Sequence, residues 1–433
     1  MYIKDSPDRR HTDSLKWDDR YNEEGKADVI PLWVADMDLA SPDVVVEALS
    51  RRAAHPVYGY TNPPGDYRKL LAAWYRSRYA KPTGALASFL GSTADVSPWP
   101  SEGDFLLGPG VVPSLGIAIR ALTQAGAGIL VPSPVYYPFY SIVRDNDREL
   151  VTSSLGLRED GHFALSVPAL EGSLTHARTR GLVVEALLLC SPHNPGGRIW
   201  SEGELASLLV FAKREGIALI VDEIHADLAL GGRPFVSLAS LPADTELPLV
   251  IIGAPNKTFN IPGLHLSHFV VRDEATRSRI VRSIAATGYS QPNTMSIVAA
   301  HAAYSGGGPW LDALRVFLRE QLSHTLARLE ASGLDVCPVA PEAGYLVWVD
   351  ARALLSRLAG RQNDPNKEAA PSAIKDDREL VDRLAREARV RVTAGSIFGP
   401  EGAGYLRINI ACPRAQLDEG LDRFFAWVKD YLG

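Results

Sequence analysis

The sequence predicts an α/β protein: a mostly parallel sheet in a large domain, joined to a smaller α+β domain. The first observation is the run 183–190, apolar almost throughout as a strand covered on both faces should be. The second is a helix and a strand immediately downstream of that run. Ser201-Glu202-Gly203-Glu204 is a capping box opening a helix with Leu205, Leu208, Leu209 and Phe211 at helical spacing, and residues 217–221 return to strand, which completes a βαβ unit. The third is a further apolar strand, 249–253, after strand and helix have alternated from Phe105 onward.

Before that alternation the chain is an arm. The run Val29-Ile30-Pro31-Leu32-Trp33-Val34-Ala35-Asp36-Met37-Asp38 is apolar, ends in acids and reads as an ordered segment crossing a surface. Ser41 is placed to cap the next helix, with Pro42 at its first position. A turn-rich loop then presents Tyr58 and Tyr60. Rings in such a loop serve either as apolar anchors or as ligand contacts. Residues 81–104 are rich in Gly, Ser, Pro and Ala and read as an irregular loop.

Phe105 starts a short strand, Gly108-Pro109-Gly110 a turn, and Val111 and Val112 the opening of a helix. Such a turn offers free backbone N–H groups to an anion, although every tight strand-to-helix turn shares the look. Tyr136 and Tyr137 follow the strand that begins at Gly128, and His193-Asn194-Pro195 follows the strand ending at Cys190. Asp222 and His225 follow the second strand of the βαβ unit; Asn256 and Lys257 follow residues 249–253.

Beyond Met295 the chain is helical to Ala331, strand-like over 336–349, and polar over 360–377, a loop expected to be mobile and solvent-facing. A helix over 379–390 precedes a strand, 404–410, with Arg407 and Asn409 on one face, and a helix over 417–432 closes the chain.

Composition bounds the function. At 433 residues, 46% hydrophobic, the chain can bury a large core and is expected to divide into two domains. A net charge of -6 without long runs of one sign gives no footprint for nucleic acid or an anionic membrane. Cys190, Cys337 and Cys412 lack metal or disulfide spacing and read as buried thiols of a reducing, cytoplasmic protein. Neither a secretory signal nor a membrane span is expected.

Open α/β sheets bind ligands outside the carboxyl ends of their strands, and here those ends carry Tyr136, Asn194, Asp222, His225 and Lys257. Alone, Lys257 reads either as a solvated loop lysine or as an imine-forming amine. Together the groups match the needs of pyridoxal 5'-phosphate. A carboxylate keeps the pyridine nitrogen protonated, a lysine forms the imine, a donor meets the ring 3-oxygen, and backbone amides hold the phosphate.

The chain resembles the fold type I pyridoxal-phosphate enzymes of the class I/II aminotransferase superfamily, most closely their cystathionine β-lyase (C-S lyase) branch. The resemblance spans residues 33–414. It rests on Trp33-Val34-Ala35-Asp36-Met37-Asp38, Gly59-Tyr60-Thr61, Pro109-Gly110-Val111-Val112-Pro113, Pro134-Val135-Tyr136-Tyr137-Pro138-Phe139, Ser191-Pro192-His193-Asn194-Pro195, Asp222-Glu223-Ile224-His225, Lys257-Thr258-Phe259-Asn260 and Leu406-Arg407-Ile408-Asn409.

The resemblance implies a seven-stranded sheet in a cofactor-binding domain over 52–293, and a small domain made of 294–433 with part of the arm 1–51. It implies that Lys257 carries the cofactor and moves the substrate α-proton, with Tyr60 and Tyr136 as further catalytic residues. Asp222, Asn194, His225, Tyr136, Val111, Val112, Asn256 and, from a neighbouring subunit, Tyr60 would hold the cofactor. Arg407, Tyr137, Ala35 and Asp36 would meet an amino-acid substrate. A homodimer with a shared site follows from the placing of Tyr60.

Two positions depart from many relatives: Ala254 replaces a phosphate-binding serine, and His265 stands where aminotransferases place an arginine. The implied activity is β-elimination of a thiol from a cystathionine-like or S-substituted cysteine. Transamination, other elimination, replacement or carbon-carbon chemistry, and a regulatory binding role stay open.

Overall fold

The structure is a computed structural model that describes residues 3, 6–18, 28–84, 86, 99–241, 247–360 and 373–433. Most of the loops expected at 81–104 and 360–377 lies outside the described residues.

Fifteen strands are described, in four sheets. In chain order the first ten are β1 (Ile30–Pro31), β2 (Phe105–Gly108), β3 (Gly128–Ser133), β4 (Glu149–Ser154), β5 (Gly156–Leu157), β6 (Phe163–Ala164), β7 (Val184–Cys190), β8 (Ala218–Asp222), β9 (Leu249–Gly253) and β10 (Ser267–Val270). The last five are β11 (Cys337–Val339), β12 (Leu346–Asp350), β13 (Val390–Arg391), β14 (Thr393–Ala394) and β15 (Tyr405–Asn409).

The large sheet has the seven strands expected, in the order β2-β10-β9-β8-β7-β3-β4. Only β10 runs against its neighbours. Alternation along its central strands explains why both faces are covered. Leu187, Leu189, Leu219 and Val221 face one apolar core, while Ala186, Leu188, Ala218 and Ile220 face the other.

The helix Glu202–Glu215 carries the expected reciprocal Ser201–Glu204 capping box and ends at Gly216 in the left-handed conformation. The first cap differs from expectation. The helix Asp43–Ala53 has Pro42 at its N-cap and no side-chain cap, because Ser41 Oγ donates instead to the carbonyl of Asn260 at 2.9 Å. A long-range acceptor has outcompeted the local one. The helix expected over 379–390 is also shorter: Asp377–Arg383 passes into a wider turn, Leu384–Ala388, before β13.

A second, antiparallel sheet, β11-β12-β15-β14, is sealed by Trp348 stacked on Tyr405, centroids 5.1 Å apart. The arm joins the C-terminal part by parallel pairing of β1 with β13. It also packs on the helix Arg414–Leu432, where a Cβ at Gly420 would stand 2.8 Å from Leu32. Of the three thiols Cys190 and Cys412 are buried, but Cys337 is exposed at the start of the edge strand β11, which corrects the expectation for that residue.

Candidate active site

The neighbours β9, β8, β7 and β3 end side by side, and the residues beyond their carboxyl ends deliver Lys257, Asp222, Asn194 and Tyr136 to one pocket. The pocket holds about 250 Å³ and is also lined by Val111, Val112, His225, Asn256 and His265. A strand's direction fixes where its end lies, so a parallel sheet gathers distant residues without any of them being close in sequence.

Lys257 sits in the short helix Pro255–Thr258. Its Nζ donates to the carbonyl of Ala35, which also accepts from Tyr345 Oη at 2.9 Å. Burial, opposed by Asp36 and reinforced by Arg407, lowers the amine to about 8. With that value roughly a tenth of the amine is the neutral nucleophile at pH 7, far more than for an exposed lysine.

Asp222 Oδ1 accepts the Ile224 N–H at 3.0 Å, and burial raises its carboxyl to about 7 despite that bond and Lys257. Such a group gains from a cationic ligand beside it. His225 is buried with Nδ1 unpartnered, and burial, then Lys257 and Arg407, hold its imidazole neutral down to about 3. Tyr136 is raised to about 12 by burial and presents its ring beside Tyr137, centroids 5.2 Å apart.

Arg407 lies on β15, buried, with its guanidinium 4.7 Å above the Phe398 ring centroid. Nη1 donates to Asn194 Oδ1 and Nη2 to the Trp33 carbonyl, both at 3.0 Å, while Nε is unpartnered.

At the edge of the pocket the helix Val111–Leu122 begins with no side-chain cap. Gly110 precedes it at φ 118° and ψ 162°, a conformation essentially confined to glycine. The Gly110 N–H donates to Ser267 Oγ at 3.3 Å, which pairs with Ser114 Oγ at 2.8 Å. The amides of Val111 and Val112 thus stand at a rigid, open helix start suited to an anion.

These residues fit pyridoxal 5'-phosphate. The amine, the raised carboxyl, the unpartnered imidazole nitrogen, the aromatic face and the open helix start are the donor set that its aldehyde, pyridine, 3-oxygen, ring and phosphate require.

Not every expected residue lies in the pocket. Ala35 lines it, whereas the Asp36 carboxylate pairs with Arg9 at 2.7 Å and Lys16 at 3.4 Å. Tyr137 is 48% exposed, and Tyr60 is 98% exposed in this single chain. Sequence reasoning missed Tyr345, the Ser114–Ser267 pair and Lys16. None of them carried a periodic signal: Tyr345 merely precedes β12, in which Leu346 to Val349 are all buried.

The sequence matches the profile described as "Aminotransferase class I and II" over residues 27–424. The chain belongs to that family. Cystathionine beta-lyase PatB of Bacillus subtilis is 33% identical over 421 residues, covering 97% of each chain. Among solved structures, cystalysin of Treponema denticola, which contains pyridoxal 5'-phosphate, superposes with TM-score 0.84 at 27% identity, covering 99% of both chains. The PLP-bound C-S lyase of Staphylococcus hominis gives 0.79 at 26%, covering 98% of both. This member of the family is a pyridoxal-phosphate-dependent enzyme of C-S lyase kinship.

Proposed function

We propose that this enzyme is a carbon-sulfur β-lyase that converts a cystathionine-like or S-substituted L-cysteine, with water, to a thiol, pyruvate and ammonia. The observation that carries the reading is the Lys257 amine, lowered to about 8 and held on the Ala35 carbonyl at the end of β9. The full-length likeness to proteins named cystathionine beta-lyase and C-S lyase supports it.

When bound, the cofactor supplies an electron sink for the pair left at the substrate α-carbon. Arg407, released from Asn194 or sharing it, binds the substrate carboxylate through its fork. Lys257 takes the α-proton as general base, and the C–S bond breaks as sulfur leaves Cβ with the electron pair. The remaining three-carbon fragment hydrolyses to pyruvate and ammonia. Asp222 holds the pyridine side, Asn194 and His225 the oxygen side, and Tyr136 covers the ring. Tyr60 from a second copy closes the phosphate end, so the working form is a homodimer in the cytoplasm, with the cofactor domain at 52–293. No helix among the described residues is long and apolar enough to cross a membrane.

Addition of L-cystathionine to the loaded enzyme should release pyruvate and thiol in equal amounts, and Lys257→Ala should abolish both together with the visible absorption band of the bound cofactor. Loss of that band on adding an amino acid, with no pyruvate formed, would instead identify an aminotransferase.

A further inference from the structure

The arm segment 33–36 offers one carbonyl to each cationic group of the site: Trp33 to Arg407, Ala35 to Lys257. Something must hold that segment. Asn409 Nδ2 reaches the carbonyls of Val34 and Asp36 at 2.5 and 2.7 Å, and Asn260 Oδ1 accepts the Met37 N–H at 3.0 Å. Thr393 Oγ1 donates to the Trp33 carbonyl at 3.2 Å, and further support comes from the other side, where Arg9, Lys16 and Trp17 lie against the arm.

Lys16 is 1% exposed. Its Nζ pairs with Asp38 at 2.9 Å and Asp36 at 3.4 Å, and donates to the Asp36 carbonyl at 3.2 Å; its own carbonyl accepts from Trp33 Nε1 at 3.3 Å. Arg9 Nη2 meets Asp36 at 2.7 Å and Nη1 meets Asp38 at 2.7 Å. Trp17 Nε1 and Gln416 Nε2 complete the shell of Asp38 at 2.9 and 2.8 Å. Two cations therefore face two carboxylates directly behind the carbonyl that receives the Lys257 amine. Lys16 and Asp38 are fully buried and Arg9 and Asp36 partly so; burying charge is costly unless it is paired, and each of the four is paired here.

We propose that Arg9, Lys16, Asp36 and Asp38 form a charge-neutral clasp that positions the Ala35 carbonyl against Lys257 and sets how firmly that nitrogen holds its proton. These are positioning residues, since their side chains act through the arm. Asp36 favours the charged form of Lys257 and Lys16 opposes it. The other groups facing Lys257 are Asp222, which also favours the charge, Arg407, which opposes it, and the neutral His225. The two cations offset part of the field that the carboxylates of the clasp impose on the nitrogen, Asp36 acting more strongly on it than Lys16.

The inference rests on Lys257 bearing the cofactor, and the test separates the two. In the loaded enzyme, the pH at which the visible band changes form reports protonation of the Lys257 nitrogen. Lys257→Ala must remove the band, or the reading of Lys257 fails and the clasp is not at issue. Given that, Lys16→Met and Arg9→Gln, each removing a positive charge, should move the midpoint to higher pH, and Asp36→Asn to lower pH. Lys16→Met with Asp36→Asn together should return it towards the parent value. Should Lys16→Met fail to fold, Arg9→Gln, which changes a partly exposed side chain, and Asp36→Asn decide the matter. Midpoints that stay fixed, or move in the same direction for cation and carboxylate variants, would overturn the proposal, because a purely structural clasp has no reason to respond by sign.

Discussion

Arg407 Nη1 donates to Asn194 Oδ1 at 3.0 Å, so the residue proposed to grip substrate is tied to a residue proposed to hold the cofactor. The bond crosses from β15 of the C-terminal sheet to the turn after β7 of the large one. Binding and positioning are thereby coupled through one guanidinium.

Arg407→Lys should expose that coupling. Lysine keeps the charge but cannot bridge Asn194 and the Trp33 carbonyl as a planar fork. Loss of one charge-assisted hydrogen bond, about 1.5–3 kcal/mol, lowers kcat/KM roughly 10- to 100-fold. Steady-state kinetics should show the loss mainly in KM, with the visible band intact.

Gly110→Ala tests the anion cradle. The backbone at φ 118° and ψ 162° costs a non-glycine residue about 1–3 kcal/mol, and relaxing it would turn the Val111 and Val112 amides. Cofactor affinity should fall on the order of 5- to 100-fold, read by equilibrium dialysis, with the far-UV circular dichroism unchanged.

Asp222 predicts a pH dependence of the cofactor-free protein. Its folded carboxyl is raised from 3.8 to about 7, and that of Glu223 from 4.5 to about 8, both chiefly by burial. A raised folded value gives stability that is full below the unfolded value and lost as pH climbs through the folded one. His225 contributes in the opposite sense only below 6.5. Between pH 6.5 and 7.5 the melting temperature should therefore fall. Asp222→Asn should flatten the fall, and bound cofactor, by placing a cation beside Asp222, should shrink it.

Tyr345→Phe removes one of the two donors to the Ala35 carbonyl. The loss of a neutral hydrogen bond, about 0.5–1.5 kcal/mol, should reduce kcat/KM up to roughly tenfold. An unchanged value would mean that Lys257 and the clasp suffice to hold Ala35.

The strands that end at the pocket were legible because burial on both faces of a parallel sheet demands apolar runs, and an apolar run announces its own end. Lys257, Asp222, Asn194 and Tyr136 could therefore be placed on one edge from the sequence. Lys16 could not, since a buried lysine looks like a surface one until its carboxylates are brought against it. Ser41 shows the same limit: its spacing suggests a cap, and only the fold reveals the Asn260 carbonyl that claims it. Local patterns disclose elements, whereas the partner of a polar side chain depends on which elements meet.

The pairing of β1 with β13, together with the hold of Asn409 on Val34 and Asp36, bears on how the enzyme is made. Synthesis delivers the arm well before its anchors β13 and Asn409, so until these emerge Ala35 has no fixed place and Lys257 lacks its acceptor. The large sheet can assemble while the ribosome is still at work, but the pocket matures only after β15 has left the exit tunnel. Cofactor capture should accordingly wait for β13 and β15, and a product truncated before them would carry Lys257 without its acceptor in place.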